Sequence, residues 1–365
     1  MKKIFLLLLF FLAACRPSPV NVALVLPENG SMDDLRNGIE LAAQRINSEG
    51  GIYGHIVRVL PASADGKIDL KGASVVVMAT GNGETVSSVE GSAEKMAVPL
   101  IIVNPVLAGG GSGYTAVSFS KNALDEAFFM GDFCAFSLHA SKVLVLDGSG
   151  DLADSFEKGF GRERRETVRL KAGGTGPGAL AEEVGKALSS KSPPQSVFWA
   201  SGEEIPKEVS AKLGRELKGR TLLVTAACVL NSAGDFPNPA LTSLPYFDGR
   251  KRAAGIVEFN VDYKARFGSR PSSWSAAGYE TMTAIKQSFE SGARTAEGMR
   301  AFLRDVEMNF VLLGKLNFNS DCELVIPFDM AMLNGRSAVP LREMDRNTLV
   351  GLQEKVLAFR YGQEY

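Results

Sequence analysis

Apolar residues fall into short dense runs separated by polar stretches of helical length. Val20-Asn21-Val22-Ala23-Leu24-Val25-Leu26 has the valine content and density of a buried strand. Leu35, Ile39, Ala42, Ala43 and Ile46 then recur at helical spacing, with Ser31 or Asp33 as candidate cap and Asn47 to Gly51 as the stop. Further strands are expected at Ile56 to Leu60, Val75 to Met78, Pro99 to Val103 and Lys142 to Leu146, with helices over Glu84 to Met96 and Leu124 to Leu138. Such β-α-β alternation predicts a parallel sheet covered by helices on both faces. The alternation then restarts. Helices are expected at Leu152 to Gly161, Gly178 to Leu188 and Pro206 to Leu217, and strands at Thr167 to Leu170, Ser196 to Trp199 and Thr221 to Val224. Leu230 to Arg252, with Pro237, Pro239 and Pro245, reads as the longest irregular stretch, a surface loop or the rim of a cleft. Helical patterns return at Asn260 to Phe267, Ser275 to Ser291 and Thr295 to Val306. A hairpin of Lys315 to Phe318 with Leu324 to Leu333 and a terminal helix at Asn347 to Phe359 complete the pattern.

The first fourteen residues do not fit this pattern. Lys2 and Lys3 make a basic n-region, Ile4 to Leu12 an apolar h-region, and Ala13-Ala14 places two small residues before Cys15. The run is shorter than the ~20 residues that span a bilayer core. Leu12-Ala13-Ala14-Cys15 resembles the lipobox of bacterial lipoproteins, which implies cleavage before Cys15 and acylation of its thiol and freed amine. More than one acyl chain gives stable anchoring. An ordinary secretory signal with a chance cysteine is the alternative. Arg16, where an aspartate would retain the protein in the inner membrane, points to the outer membrane if the source is Gram-negative.

From Cys15 onward about 350 residues exceed the ~250–300 that one core usually serves, so two lobes are expected. Without Lys2 and Lys3, 38 basic residues face 41 acidic ones, which leaves no electrostatic footprint for nucleic acid. Cys134, Cys228 and Cys322 are widely spaced and odd in number, and buried free thiols are expected ahead of a single disulfide. The two histidines, His55 and His139, lie far apart. No His-Glu-x-x-His, Cys-x-x-Cys or Gly-x-Ser-x-Gly occurs, and Gly109 to Gly113 and Gly173 to Gly178 lack the Gly-Lys-Ser/Thr of a phosphate loop. Binding without a metal or cofactor is expected, not catalysis.

Leu24-Val25-Leu26-Pro27 followed by Leu35 to Gly54 resembles the opening of type 1 periplasmic binding proteins, nearest to the branched-chain-amino-acid receptors of ABC transporters. Tyr263 to Pro271, Ala276 to Glu280 and Gly314 to Asn319 carry the same likeness. The resemblance implies an α/β fold of two doubly wound parallel-sheet lobes joined by a three-segment hinge. After a signal at 1–14 and a tether at 15–19, the first lobe is expected at 20–139 plus 255–320. The second is expected at 140–254 plus 321–340, and a helical segment at 341–365. The crossings are expected near 138–142, 253–257 and 319–325. By function, the resemblance implies a periplasmic or cell-surface lipoprotein, monomeric, that takes a small polar solute to an ABC permease. A degenerate member acting as a protein-interaction or sensory lipoprotein is the alternative.

Ligands of open α/β sheets bind beyond the carboxyl ends of the strands. The resemblance therefore directs attention to Asn82, Gly83 and Thr85 after the third strand and to Asn104 and Leu107 after the fourth. There, N–H groups at a helix start beside a hydroxyl suit an anion. From the second lobe, Asp151 and Glu203 are candidates to neutralise an ammonium, each with the alternative of serving its own helix dipole. Glu84 opposes an anion, and Val106 and Leu107 stand where the family places hydroxyls.

Overall fold

The computed structural model describes residues 18–27, 30, 32–63, 70–80, 83–104, 117–120, 122–161, 165–232, 234, 236–335, 337–344 and 350. Cys15, Asn82, Leu107 and the bulk of the expected terminal helix lie outside them. The first sheet contains β1 (Val20–Leu26), β2 (Val57–Ser63), β3 (Val75–Met78), β4 (Leu100–Ile102) and β5 (Val117–Ser118), all parallel in the order β2-β1-β3-β4-β5. Alternate residues of β1 serve opposite faces, as the period of two requires. Val22 and Leu24 join one apolar cluster and Ala23 and Val25 another. Helix α1 (Asp33–Ser48) covers the first face and α2 (Gly83–Met96) the second. The residue before α1 is Met32, whose side chain makes no capping bond, and Asp33 and Asp34 sit inside the first turn.

The second sheet contains β6 (Lys142–Asp147), β7 (Glu166–Lys171), β8 (Ser196–Ala200), β9 (Thr221–Val224), β10 (Ala240–Pro245), β13 (Phe328–Asn334) and β14 (Ser337–Pro340). Its order is β14-β13-β10-β9-β8-β6-β7, the last five strands parallel and the two at the other edge antiparallel. Five strands in each sheet thus repeat one winding order, with switch points between β1 and β3 and between β6 and β8. Its helices are α3 (Ala123–Phe136), α4 (Gly150–Phe160), α5 (Pro177–Leu188), α6 (Lys207–Glu216) and α7 (Ala226–Asn231). Helices α8 (Ala254–Phe267), α9 (Ser273–Glu290) and α10 (Ala296–Asp305), with the hairpin β11 (Met308–Phe310) and β12 (Gly314–Leu316), return to the first lobe.

Three sequence expectations are corrected. Helix α3, assigned to the first lobe, packs in the second: Ala127, Met130 and Cys134 share a core with Val143, Val145, Phe156 and Phe198. The contact is backbone-close, because a Cβ on Gly131 would lie 2.2 Å from the Phe156 carbonyl oxygen and one on Gly159 would lie 2.1 Å from that of Phe128. The first crossing therefore lies between β5 and α3, not at 138–142. Periodicity shows that a helix has an apolar face but not which sheet receives it. Second, the stretch expected to be irregular begins with the last two residues of α7 and contains the fully buried β10, whose Ala240 to Leu244 run lies between Pro239 and Pro245. Third, the expected hairpin reduces to a single bridge between Phe318 and Leu324. Strand β12 pairs with β11, and β13 pairs with β10 and β14, because Met330 and Leu333 belong to the second lobe's core.

The crossings run side by side. Ser118 donates its N–H to the Cys322 carbonyl at 2.9 Å and accepts from Leu324 at 2.8 Å, while Tyr246 donates to Pro327 at 3.0 Å. Phe247 packs edge-on against Phe259 of the first lobe, so the second crossing follows β10 directly. All three described thiols are buried and unbridged, and burial pushes Cys134 up to about 12.

Candidate functional site

A cavity of about 390 Å³ lies between the lobes. Gly30, Asp33 and Asp34, beyond the carboxyl end of β1, and Ser272 and Trp274, at the start of α9, form its first-lobe wall. Ala226, Val229 and Leu230 of α7, Thr242 to Leu244 of β10, and Ser337 and Ala338 of β14 form the other. This is where an open α/β sheet exposes loops and helix starts to a ligand. Asp34 accepts a hydrogen bond from the Tyr263 hydroxyl at 3.0 Å, and Asp33 pairs with Arg36 at 3.0 Å. Thr242 is buried, and among the described residues its hydroxyl has no hydrogen-bond partner.

The second-lobe wall is held from behind by a buried acid. Glu126 of α3 accepts the Ala226 N–H at 2.7 Å and the Ser243 hydroxyl at 2.5 Å through Oε1, and its Oε2 has no partner among the described residues. Desolvation pushes its pKa up to about 7, against the pull of those two donors. One carboxylate thus fixes both the start of α7 and the β10 strand that line the cavity. The first lobe has a counterpart in Glu280 of α9, which accepts the N–H groups of Leu312 and, at 3.2 Å, Leu313. Burial raises it to about 7 as well.

None of the described site candidates lines this cavity. Gly83 is the exposed first residue of α2 and Thr85 is half-buried within its first turn. Asn104 is buried with its amide on the Thr80 backbone, accepting at 2.9 Å and donating at 3.0 Å, so it ties the loop after β4 to the end of β3. Asp151 is exposed in the first turn of α4. Glu203 is exposed, and its backbone carbonyl receives the Trp199 indole N–H at 2.8 Å. The sequence reading missed Asp34, Trp274, Thr242 and Glu126. Only Glu126 left a signal, a carboxylate in line with Ala123, Ala127 and Met130 on the apolar stripe of its helix.

No protein-family model matches the chain, and no curated protein matches it. Solved structures do. The architecture is that of type 1 periplasmic binding proteins. An ABC transporter substrate-binding protein of Desulfitobacterium hafniense in complex with Leu is similar with a TM-score of 0.67, at 15% identity over 89% of this chain and 100% of that one. LivJ of Streptococcus pneumoniae, a branched-chain amino acid transporter substrate binding protein in complex with isoleucine, gives 0.64 at 17% identity over 88% and 97%. A solute binding protein of an ABC transporter from Rhodopseudomonas palustris, in complex with 3,4-dihydroxy benzoic acid, gives 0.60 at 16% over 87% and 94%. At such identities the likeness establishes the fold.

Proposed function

We propose that the protein is a monomeric extracytoplasmic solute-binding lipoprotein, tethered through Cys15, that takes a small polar solute into its interlobe cleft and delivers it to an ABC permease. The observation that carries this reading is the cavity between two lobes that are joined, among the described residues, by three adjacent crossings, an arrangement suited to closing by hinge motion. The structural neighbours hold an amino acid or an aromatic acid, which favours a solute of that size. In this reading Asn82, Gly83, Thr85 and Leu107 form the first-lobe mouth of the cleft, and Asp151 and Glu203 the second. Asn104 holds the mouth loops in register.

The test is a thermal-shift screen with amino acids, amides, short-chain acids and nucleobases, followed by small-angle scattering with each hit. A ligand that binds only the native state at a hundredfold excess over Kd stabilises it by about 2.7 kcal/mol, so a hit raises Tm. Closure should also shrink the radius of gyration. A protein blind to every solute and unchanged in scattering would shift the reading to a lipoprotein that binds a protein partner.

A further inference from the structure

The geometry points to an interaction within the chain: the C-terminal stretch 347–359 docks as a helix on an apolar face that α3 leaves open. Helix α3 is apolar on all sides, and such a helix is ordinarily covered all round. One arc of it shares the core of Val143, Val145 and Phe198, and Gly131 lies against α4. At 3.6 residues per turn, Leu124, Phe128 and Phe136 fall on the opposite arc, where Phe128 is 39% and Phe136 47% exposed. Phe129 and Phe133 border that arc, half-buried. Leu124 with Phe128, Phe129 with Phe133, and Phe133 with Phe136 stand at the spacings of helix neighbours, so the exposure forms one strip. Phe328 of β13 extends it, its ring centroid 5.6 Å from that of Phe129.

The path of the chain leads to this strip. After β14, Leu341 is buried in the core that α3 shares, and Met344 packs on that core as Phe129 and Phe133 do. Arg342 fixes the exit, paired with Asp329 at 2.9 Å and standing 4.3 Å from the centre of the Tyr246 ring. The sequence then continues through residue 365. In it Leu349, Leu352, Val356 and Phe359 recur at i, i+3, i+7 and i+10, a one-sided stripe that a helix must bury against something. Val350, the described residue of this stretch, is helical, lies off the stripe and is exposed.

Charge agrees with the apolar match. On a helical wheel Lys355 and Arg360 flank the stripe, one on each side, whereas Asp125 and Asp132 stand among the apolar residues of the α3 arc. Opposite charges beside matched apolar faces fix a partner and its register. The docked stretch would also bear on the cavity. Glu126 leaves the buried side of α3 to hold Ala226 and Ser243, so a helix laid on the outer side braces the second-lobe wall from behind.

Two measurements on the full-length protein test this docking. In the first, Phe128 is replaced by the photo-cross-linker p-benzoylphenylalanine, and cross-linked peptides are mapped by mass spectrometry after irradiation. Cross-links should join position 128 to residues between 347 and 360 within a monomer. Cross-links between two copies, or cross-links that never reach this stretch, would overturn the assignment. In the second, Leu352→Ser combined with Val356→Ser should lower Tm by about 4 °C or more and raise the binding of the apolar-surface dye ANS as the α3 face opens. Val350→Ser, off the stripe, should leave both unchanged. These substitutions lie outside both lobes' cores, so the body of each variant still folds. A double variant with the Tm and dye binding of the parent, or one that still cross-links from position 128 to the same residues, would equally overturn it.

Discussion

Glu126 concentrates the cavity's architecture in one side chain, and its titration should be visible in stability. The free carboxyl titrates near 4.5, and burial raises the folded group to about 7. Between those values the native state holds a proton that the unfolded chain has released, so stability is full below about pH 4.5 and is lost as pH rises through about 7. At 1.36 kcal/mol per pKa unit the loss approaches about 3 kcal/mol. Glu126→Gln keeps an acceptor for Ala226 and Ser243 but cannot ionise. Urea titrations at pH 4.5, 6 and 8 should therefore show the parent losing about that amount relative to the variant over this range. A constant difference across the three pH values would show that Glu126 releases its proton as readily in the folded protein as in the unfolded chain, and would remove the burial account. Glu280 is raised by the same kind of burial and continues to contribute its own slope in the variant. That one carboxylate should organise two cavity-lining elements is not readable from spacing: its partners lie 100 and 117 residues away.

At the scale of elements, each lobe is welded by a pair of helices that cross on glycine. In the first lobe a Cβ on Gly38 would lie 1.9 Å from the Ser275 carbonyl oxygen and one on Gly278 would lie 2.3 Å from that of Leu35, and Gly131 with Gly159 repeats the device in the second. Gly131→Ala should push α3 from α4 and cost about 1–3 kcal/mol or more as overpacking. Gly91→Ala on α2, where an added methyl meets nothing within 4 Å, should stabilise by up to about 1 kcal/mol through helix propensity. Chemical denaturation of both variants checks the contrast, and equal effects would remove the close-packing account. These helices also mark what the sequence could reveal. The β-α alternation, the buried strands and both doubly wound units were legible because period and density are local properties. The lobe that receives α3 was not, since an apolar stripe carries no address. Strand β10 was hidden because prolines at its borders read as irregular chain, although Pro239 and Pro245 only delimit five buried residues. The candidate loops were placed from the family resemblance and the strand ends. The cavity instead uses the first turn of α1, the start of α9 and the edge side of the second sheet, surfaces brought together by the hinge.

The whole molecule has a polarity that bears on the proposed anchor. The cavity lies beyond the carboxyl end of β1, whereas the chain enters that strand at Val20 from the opposite edge of the sheet. Ser18, just outside the strand, is held by its carbonyl to His55 Nδ1 at 2.7 Å, so the ordered fold begins close to the tether. Seven residues of β1 put about 23 Å of strand between tether and cleft. The five residues from Cys15 to Pro19 reach at most about 17 Å when extended. An acylated Cys15 would therefore hold the first lobe near the lipid with its base inward and the cleft facing away, free to close. This separation yields a two-part expectation for Cys15→Ser expressed from the full coding sequence. The protein should move from the membrane to the soluble fraction, while its Tm and its solute affinity match those of the anchored form solubilised in detergent. Retention in the membrane would remove the lipid anchor. Release accompanied by altered affinity would show that the tether reaches the cleft, contrary to the path of β1.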